Sequence, residues 1–192
     1  TIGDPAGIGP EICAKLLAGP GLRQRAELVL VGSATALFEA EPSLARSLAV
    51  VPAEGAGRAL PDISSPAIIE VGPRTRIALG RPTAEGGAIA ARSVEIAVAL
   101  AKEHVIDGIV TGPVSKESLQ LAGIPYRGHT EMLAALFDAP DCQMMMVAEH
   151  LRIVILTRHI PLREVADAVS GGRIVASVRA TQKALREYFG IE

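Results

Sequence analysis

Three stretches of this 192-residue chain gather side chains that could bind an anion, carry a proton or ligate a cation. The first, Gly3-Asp4-Pro5-Ala6-Gly7-Ile8-Gly9-Pro10-Glu11, sets three glycines ahead of a helix start. Glycine permits close backbone approach, and the free N–H groups of a helix N-terminus suit a negative ligand. The spacing has neither the third glycine of a dinucleotide fingerprint nor the Gly-Lys-Ser/Thr of a Walker A loop. A tight strand-to-helix turn accounts for it as well, with Pro10 at the first helical position and Glu11 answering the helix dipole.

The second constellation spans two consecutive loops, Thr111-Gly112-Pro113-Val114-Ser115-Lys116 and Gly128-His129-Thr130-Glu131. Ser115, Lys116, His129 and Thr130, together with backbone N–H groups, would suit a phosphate or a carboxylate. Ordinary helix capping by Ser115 and Thr130, with Lys116 solvated, is the competing explanation. The third stretch, Thr157-Arg158-His159-Ile160-Pro161-Leu162, puts His159 at the carboxyl end of an apolar run. A neutral imidazole there can bind a divalent metal. The four histidines (His104, His129, His150, His159) do not pair at helical spacing, so further ligands would have to come from elsewhere. His104 and His150 read as helix-end and turn residues.

These loops need elements to hold them. Apolar periodicity and breakers predict helices over 11–18, 33–39, 84–103, 116–121, 130–139, 163–169 and 174–189. Within the long central helix, Ile89, Ser93, Ile96, Ala97 and Leu100 mark the buried face; in the last, Ile174, Val178, Thr181 and Leu185 do so. Short continuous apolar runs predict strands over 27–31, 108–111, 144–147 and 153–156. Residues 41–83 carry six prolines and read as a looser region holding strands at 48–51 and 67–71. Alternating helices and continuous apolar strands point to a layered α/β/α fold with a largely parallel sheet. Ligands in such folds sit beyond the carboxyl ends of strands, where all three stretches fall.

Composition narrows the partners. With 49% hydrophobic residues, 21% charged and a net charge of −2, the chain can build a core and is not a disordered segment. Aromatics make up 3% and tryptophan is absent, with no basic excess, which argues against nucleic acid and aromatic-anchored docking. No apolar run is long enough for a membrane helix. Cys13 and Cys142 read as small buried thiols, not as a disulfide framework. No secretory leader pattern is present, which fits a cytoplasmic protein. The chain opens on Thr1 inside a glycine-rich turn and closes directly after a helix, so both ends read as cuts.

Three segments then cease to be independent. Residues 1–12 (TIGDPAGIGPEI), 111–133 (TGPVSKESLQLAGIPYRGHTEML) and 151–170 (LRIVILTRHIPLREVADAVS) resemble, in order and spacing, the 4-hydroxythreonine-4-phosphate dehydrogenase family of pyridoxal phosphate biosynthesis. The family includes relatives acting on 4-phospho-threonate, phospho-erythronate or a dicarboxylate dihydrodiol. The resemblance implies an isocitrate/isopropylmalate-dehydrogenase-like α/β enzyme, two-domain and homodimeric. Residues 1–192 would form its N-terminal and central part, with the second domain incomplete.

It further implies oxidation of 4-phosphohydroxy-L-threonine at its secondary hydroxyl, followed by decarboxylation to 3-amino-2-oxopropyl phosphate. NAD or NADP would accept the hydride, assisted by a divalent metal (Zn, Co or Mg). By the same resemblance His129 and Thr130 match the substrate-contacting pair and His159 the first of three metal-binding histidines. The remaining ligands would lie beyond residue 192. Ser115 stands where relatives vary, which leaves 4-phospho-D-threonate or phospho-erythronate open as substrate. A non-redox phosphate-binding or acyl-transfer domain on a similar sheet is the alternative of a different class.

Overall fold

A computed structural model describes residues 1–60, 66–74 and 76–192. They form two units, Thr1–Phe137 and Asp138–Glu192. Residues 61–65 and 75, part of the proline-rich region, lie outside the described residues.

The first unit is built on three short apolar strands, β1 (Val29–Gly32), β2 (Ala49–Pro52) and β3 (Ala67–Glu70). All pair in parallel in the order β1-β3-β2, with Val29 and Ala49 both opposite Ala67. Continuous apolar sequence suits a sheet covered on both faces. Val31, Val51 and Ile69 face the long helix α5 (Ala84–Lys102), against Ile89, Ile96 and Leu100. Leu30 and Ile68, one residue out of phase, face Cys13 and Leu17 of α1 (Gly9–Ala18) and Leu37 of α3 (Ala34–Ala40). Strand alternation thus produces the expected α/β/α layering. All five residues expected on the inner face of α5 are buried. Burial also pushes the Cys13 thiol pKa up. Between these elements lie three short helical turns, α2 (Pro20–Arg23), a 3₁₀ segment (Pro42–Arg46) and α4 (Ala56–Ala59).

Beyond β1 the backbone continues the sheet with segments too irregular to count as strands. Ile2 N–H donates to Val31 O at 2.9 Å, and Gly112 N–H to Thr1 O at 2.8 Å. The Thr1 nitrogen donates to Val110 O at 2.6 Å. Residues 1–4 therefore lie between β1 and the stretch expected as a strand at 108–111. That stretch is not a regular strand: it meets residues 1–4 through Val110 O, Gly112 N–H and Pro113 O, and Pro113 itself offers no N–H to continue a ladder. Gly3 makes the approach possible. Its φ is +85°, and a Cβ there would lie 2.2 Å from Pro113 O. Gly3→Ala is expected to destabilise the chain by more than about 2 kcal/mol, read as a lower denaturant midpoint. An unchanged midpoint would contradict this packing.

Two further helices complete the unit, α6 (Lys116–Leu121) and α7 (His129–Leu136). Leu119 of α6 and Met132 of α7 join Ala91, Val94 and Val98 of α5 in one buried cluster.

The second unit corrects an expectation. Its strands β4 (Met145–Ala148) and β5 (Leu151–Val154) pair antiparallel as a hairpin, with Ala148 opposite Leu151, and add no parallel strands. The connection is Glu149-His150, and two residues cannot make the long crossover that a parallel pair needs. Glu149 turns the chain with φ +42°. Helices α8 (Leu162–Ala168) and α9 (Gly171–Phe189) follow. Helix α9 begins three residues before the expected position because Ser170 Oγ accepts from Arg173 N–H at 3.3 Å and caps it. Its expected inner face is only partly realised: Ile174 and Val178 stay 44% and 60% exposed, and Ser177 is its buried residue. A hairpin and two helices are too little chain to cover both faces of α9. The Arg173 guanidinium donates to Leu156 O (3.2 Å) and to Ala168 O, tying the loop after β5 to α9. Arg152 stacks over the Phe189 ring at 4.8 Å. Among the described residues no helix is long and apolar enough to cross a membrane.

Candidate functional site

The glycine-rich first loop turns directly into α1, with Pro10 in its first turn and Glu11 in the position that complements the dipole. Its chemistry centres on a residue that the sequence does not single out. Asp4 is 3% exposed, and both its carboxyl oxygens accept hydrogen bonds. Ala6 N–H donates to Oδ1 at 2.9 Å, a local Asx-type turn. Ser118 Oγ donates to Oδ2 at 2.6 Å from a position 114 residues away. Only the long-range fold could reveal that pairing.

At the second constellation the hydroxyl of Ser115 is a helix cap. Its Oγ accepts from Ser118 N–H at 3.1 Å and starts α6. Lys116 is exposed at the first helical position. Both residues fit the capping explanation.

The Gly128–Glu131 stretch is different. Gly128 supplies no side-chain cap to α7. Glu131 instead reaches back, its Oε2 accepting from Arg127 N–H at 2.8 Å, so this carboxylate is spent on closing the turn. His129 and Thr130 stand half-buried on the first turn. The His129 Nε2 atom is fully buried and has no hydrogen-bond partner. Such an atom carries the desolvation penalty of a buried polar group with no compensating bond. Burial holds the His129 imidazole below the usual histidine range. Thr1 Oγ1 is likewise buried and unpartnered.

The third constellation lies in the second unit. His159 is exposed on the loop after β5 and takes left-handed backbone, φ +54°. Histidine tolerates that region better than most side chains. Beside it Arg158 keeps a buried, unpartnered Nη1. Among the described residues no group of three His, Cys, Asp or Glu side chains could hold a metal ion. One imidazole does not make a zinc-type site, which needs three or four protein ligands, nor does it supply the carboxylates that Mg²⁺ takes. The described residues therefore do not by themselves fit a divalent cation. His104 and His150 lie where expected, after α5 and in the β4–β5 turn.

Comparison with known proteins accords with this architecture. Residues 24–192 match the family described as pyridoxal phosphate biosynthetic protein PdxA. The chain is 39% identical over 187 residues to a D-threonate 4-phosphate dehydrogenase of Bordetella bronchiseptica, covering 93% of this chain and 52% of that protein. It is 36% identical over 189 residues to a 4-hydroxythreonine-4-phosphate dehydrogenase of Xylella fastidiosa, covering 98% and 56%. The crystal structure of 4-hydroxythreonine-4-phosphate dehydrogenase from Klebsiella pneumoniae aligns with a TM-score of 0.80 at 34% identity, over 96% of this chain and 56% of that one. The chain spans about half the length of the curated relatives it matches. Sequence motifs, a layered parallel sheet and a match across most of the chain lead to one assignment: it belongs to the PdxA family of pyridoxal phosphate biosynthetic proteins.

Proposed function

We propose that the protein carrying this chain is an NAD(P)-dependent dehydrogenase of a phosphorylated hydroxy acid, with His129 and Thr130 as its substrate-holding pair. The observation that supports this reading is the buried, unpartnered Nε2 of His129 at the start of α7. A ligand oxygen would satisfy that atom, and the helix N-terminus beside it favours negative charge. The hydroxyl of Thr130, on the same turn, adds a second polar group for the same ligand. The nicotinamide, when bound, supplies the hydride acceptor.

The substrate proposed first is 4-phosphohydroxy-L-threonine, oxidised at its secondary hydroxyl and then decarboxylated to 3-amino-2-oxopropyl phosphate. The name of the Bordetella relative favours a second reading, 4-phospho-D-threonate, with phospho-erythronate as a close variant. Dependence on Zn, Co or Mg, with His159 as one ligand, is proposed from family membership, as are a homodimer and a cytoplasmic location. Ser115 and Lys116 are proposed only as support for the phosphate, since Ser115 already caps α6.

The test is a substrate panel with the complete gene product, a divalent metal and NAD or NADP, read as NADH or NADPH absorbance. Turnover of one of the three phosphorylated acids is the expected outcome, and the preferred one decides between the two readings. If none is oxidised, and inorganic phosphate still binds in the presence of a chelator, the non-redox alternative replaces both.

A further inference from the structure

We propose that Asp4 is a positioning residue for the His129–Thr130 pair, acting through Ser118; this rests on the substrate-holding role given above to that pair. The hydrogen bonds around Asp4 have a fixed direction. Ser118 Oγ accepts from Thr83 N–H at 3.3 Å, so its single proton is committed to Asp4 Oδ2. Thr83 in turn caps α5, its Oγ1 accepting from Gly86 N–H at 3.0 Å. One buried carboxylate thereby joins the first loop, the start of α5 and the middle of α6. The partners it has are neutral N–H and O–H groups, and a short bond from a hydroxyl to a carboxylate is among the stronger kinds.

The packing leaves this junction little slack. A Cβ on Gly86 would lie 2.8 Å from Asp4 Oδ1, and one on Gly87 would lie 2.0 Å from Ser118 O. Helix α6 is held close on α5 at Ser118, which is itself fully buried. The next residue, Leu119, packs in one cluster with Met132. Met132 sits three residues after His129, hence on the same face and within one turn of it. Interiors this closely packed pass a displacement on to their neighbours. Loss of the Asp4–Ser118 bond frees α6, and Met132 follows, carrying the first turn of α7 with it.

A merely structural Asp4 would lower the melting temperature and the yield of folded enzyme without changing the KM of the enzyme that folds. The positioning role predicts otherwise for the complete gene product. Asp4→Asn, nearly isosteric, is expected to raise KM for the phosphorylated substrate about tenfold while KM for the nicotinamide cofactor stays within about twofold. Ser118→Ala should do the same. The double variant should be no worse than the poorer single one, because both remove one bond. Ser118→Cys, which keeps a weak donor in place, should fall between Ser118→Ala and the unaltered protein. If Asp4→Asn does not fold, the two Ser118 variants carry the test.

Substrate KM unchanged across the folded variants would overturn the proposal, as would effects that multiply in the double variant. His129→Asn is measured beside them. If it raises substrate KM and the Asp4 and Ser118 variants do not, only the positioning role fails. If His129→Asn leaves KM unchanged, the substrate-holding assignment itself fails.

Discussion

His129→Asn in the complete gene product is expected to raise KM for the phosphorylated hydroxy acid by about ten- to a hundredfold, the worth of a hydrogen bond to a charged group. The same change should cost little stability. In the free protein Nε2 is buried without a partner, so the imidazole makes no bond there that its removal would break. The expected signature is therefore weak substrate binding with a melting temperature close to that of the parent. Melting that falls steeply with substrate KM unchanged would show that the ring is a packing element and not a ligand contact.

The depressed pKa of this histidine adds a pH arm. Folding lowers the pKa below its ordinary value of 6.5, chiefly by burial. Between that value and the lower folded one, the unfolded chain binds more protons than the folded protein. Stability accordingly rises with pH across this window, and acidification from neutrality removes it. His129→Asn should flatten that part of the stability profile. An identical slope in parent and variant would mean that another group is responsible.

The second large effect is expected at His159, on the metal-ligand role proposed for it above. His159→Asn is the informative substitution, because asparagine also tolerates the left-handed backbone that this residue adopts at φ +54°. The side chain is exposed, so stability should stay within about 0.5 kcal/mol of the parent. Metal-dependent formation of NADH should fall at least about a hundredfold, more than the tenfold to hundredfold typical of outer-shell partners. A chelator should then make no further difference to the variant, while abolishing turnover of the parent. Turnover that survives both the substitution and the chelator would remove His159 from the reaction.

Much of the architecture follows from local pattern. Ile89, Ile96 and Leu100 recur at helical spacing, and all three are buried against the sheet. The apolar runs at 27–31, 48–51 and 67–71 give the strands β1, β2 and β3, with ends shifted by one or two residues, because they are short, continuous and bounded by breakers, and a helix of that length would not hold. Ser115 reads as a helix cap in the sequence and its hydroxyl does cap α6, whereas the caps Thr83 and Ser170 of α5 and α9 emerge only in the fold. Nothing local, however, separates a cap from a ligand contact. Ser115 and His129 look alike in the sequence, both standing at helix starts in neighbouring loops. Packing distinguishes them, leaving one hydroxyl bonded within its own turn and one ring nitrogen buried without a partner.

Other features rest on relations between distant residues. The apolar runs at 144–147 and 153–156 carry the same signal as parallel strands; the strands form at 145–148 and 151–154 instead, and the shortness of Glu149-His150 between them makes a hairpin. The apolar stripe of α9 is plain from its spacing, but Ile174 and Val178 remain largely exposed in their unit. Asp4 reads as a turn residue until Ser118 arrives beside it. Spacing along the chain encodes which residues form a helix or a strand, because those bonds close within a few residues. Which carboxylate is buried, which imidazole is left unpaired and which strands meet depend on contacts closed over tens of residues or more, and there the three-dimensional packing decides.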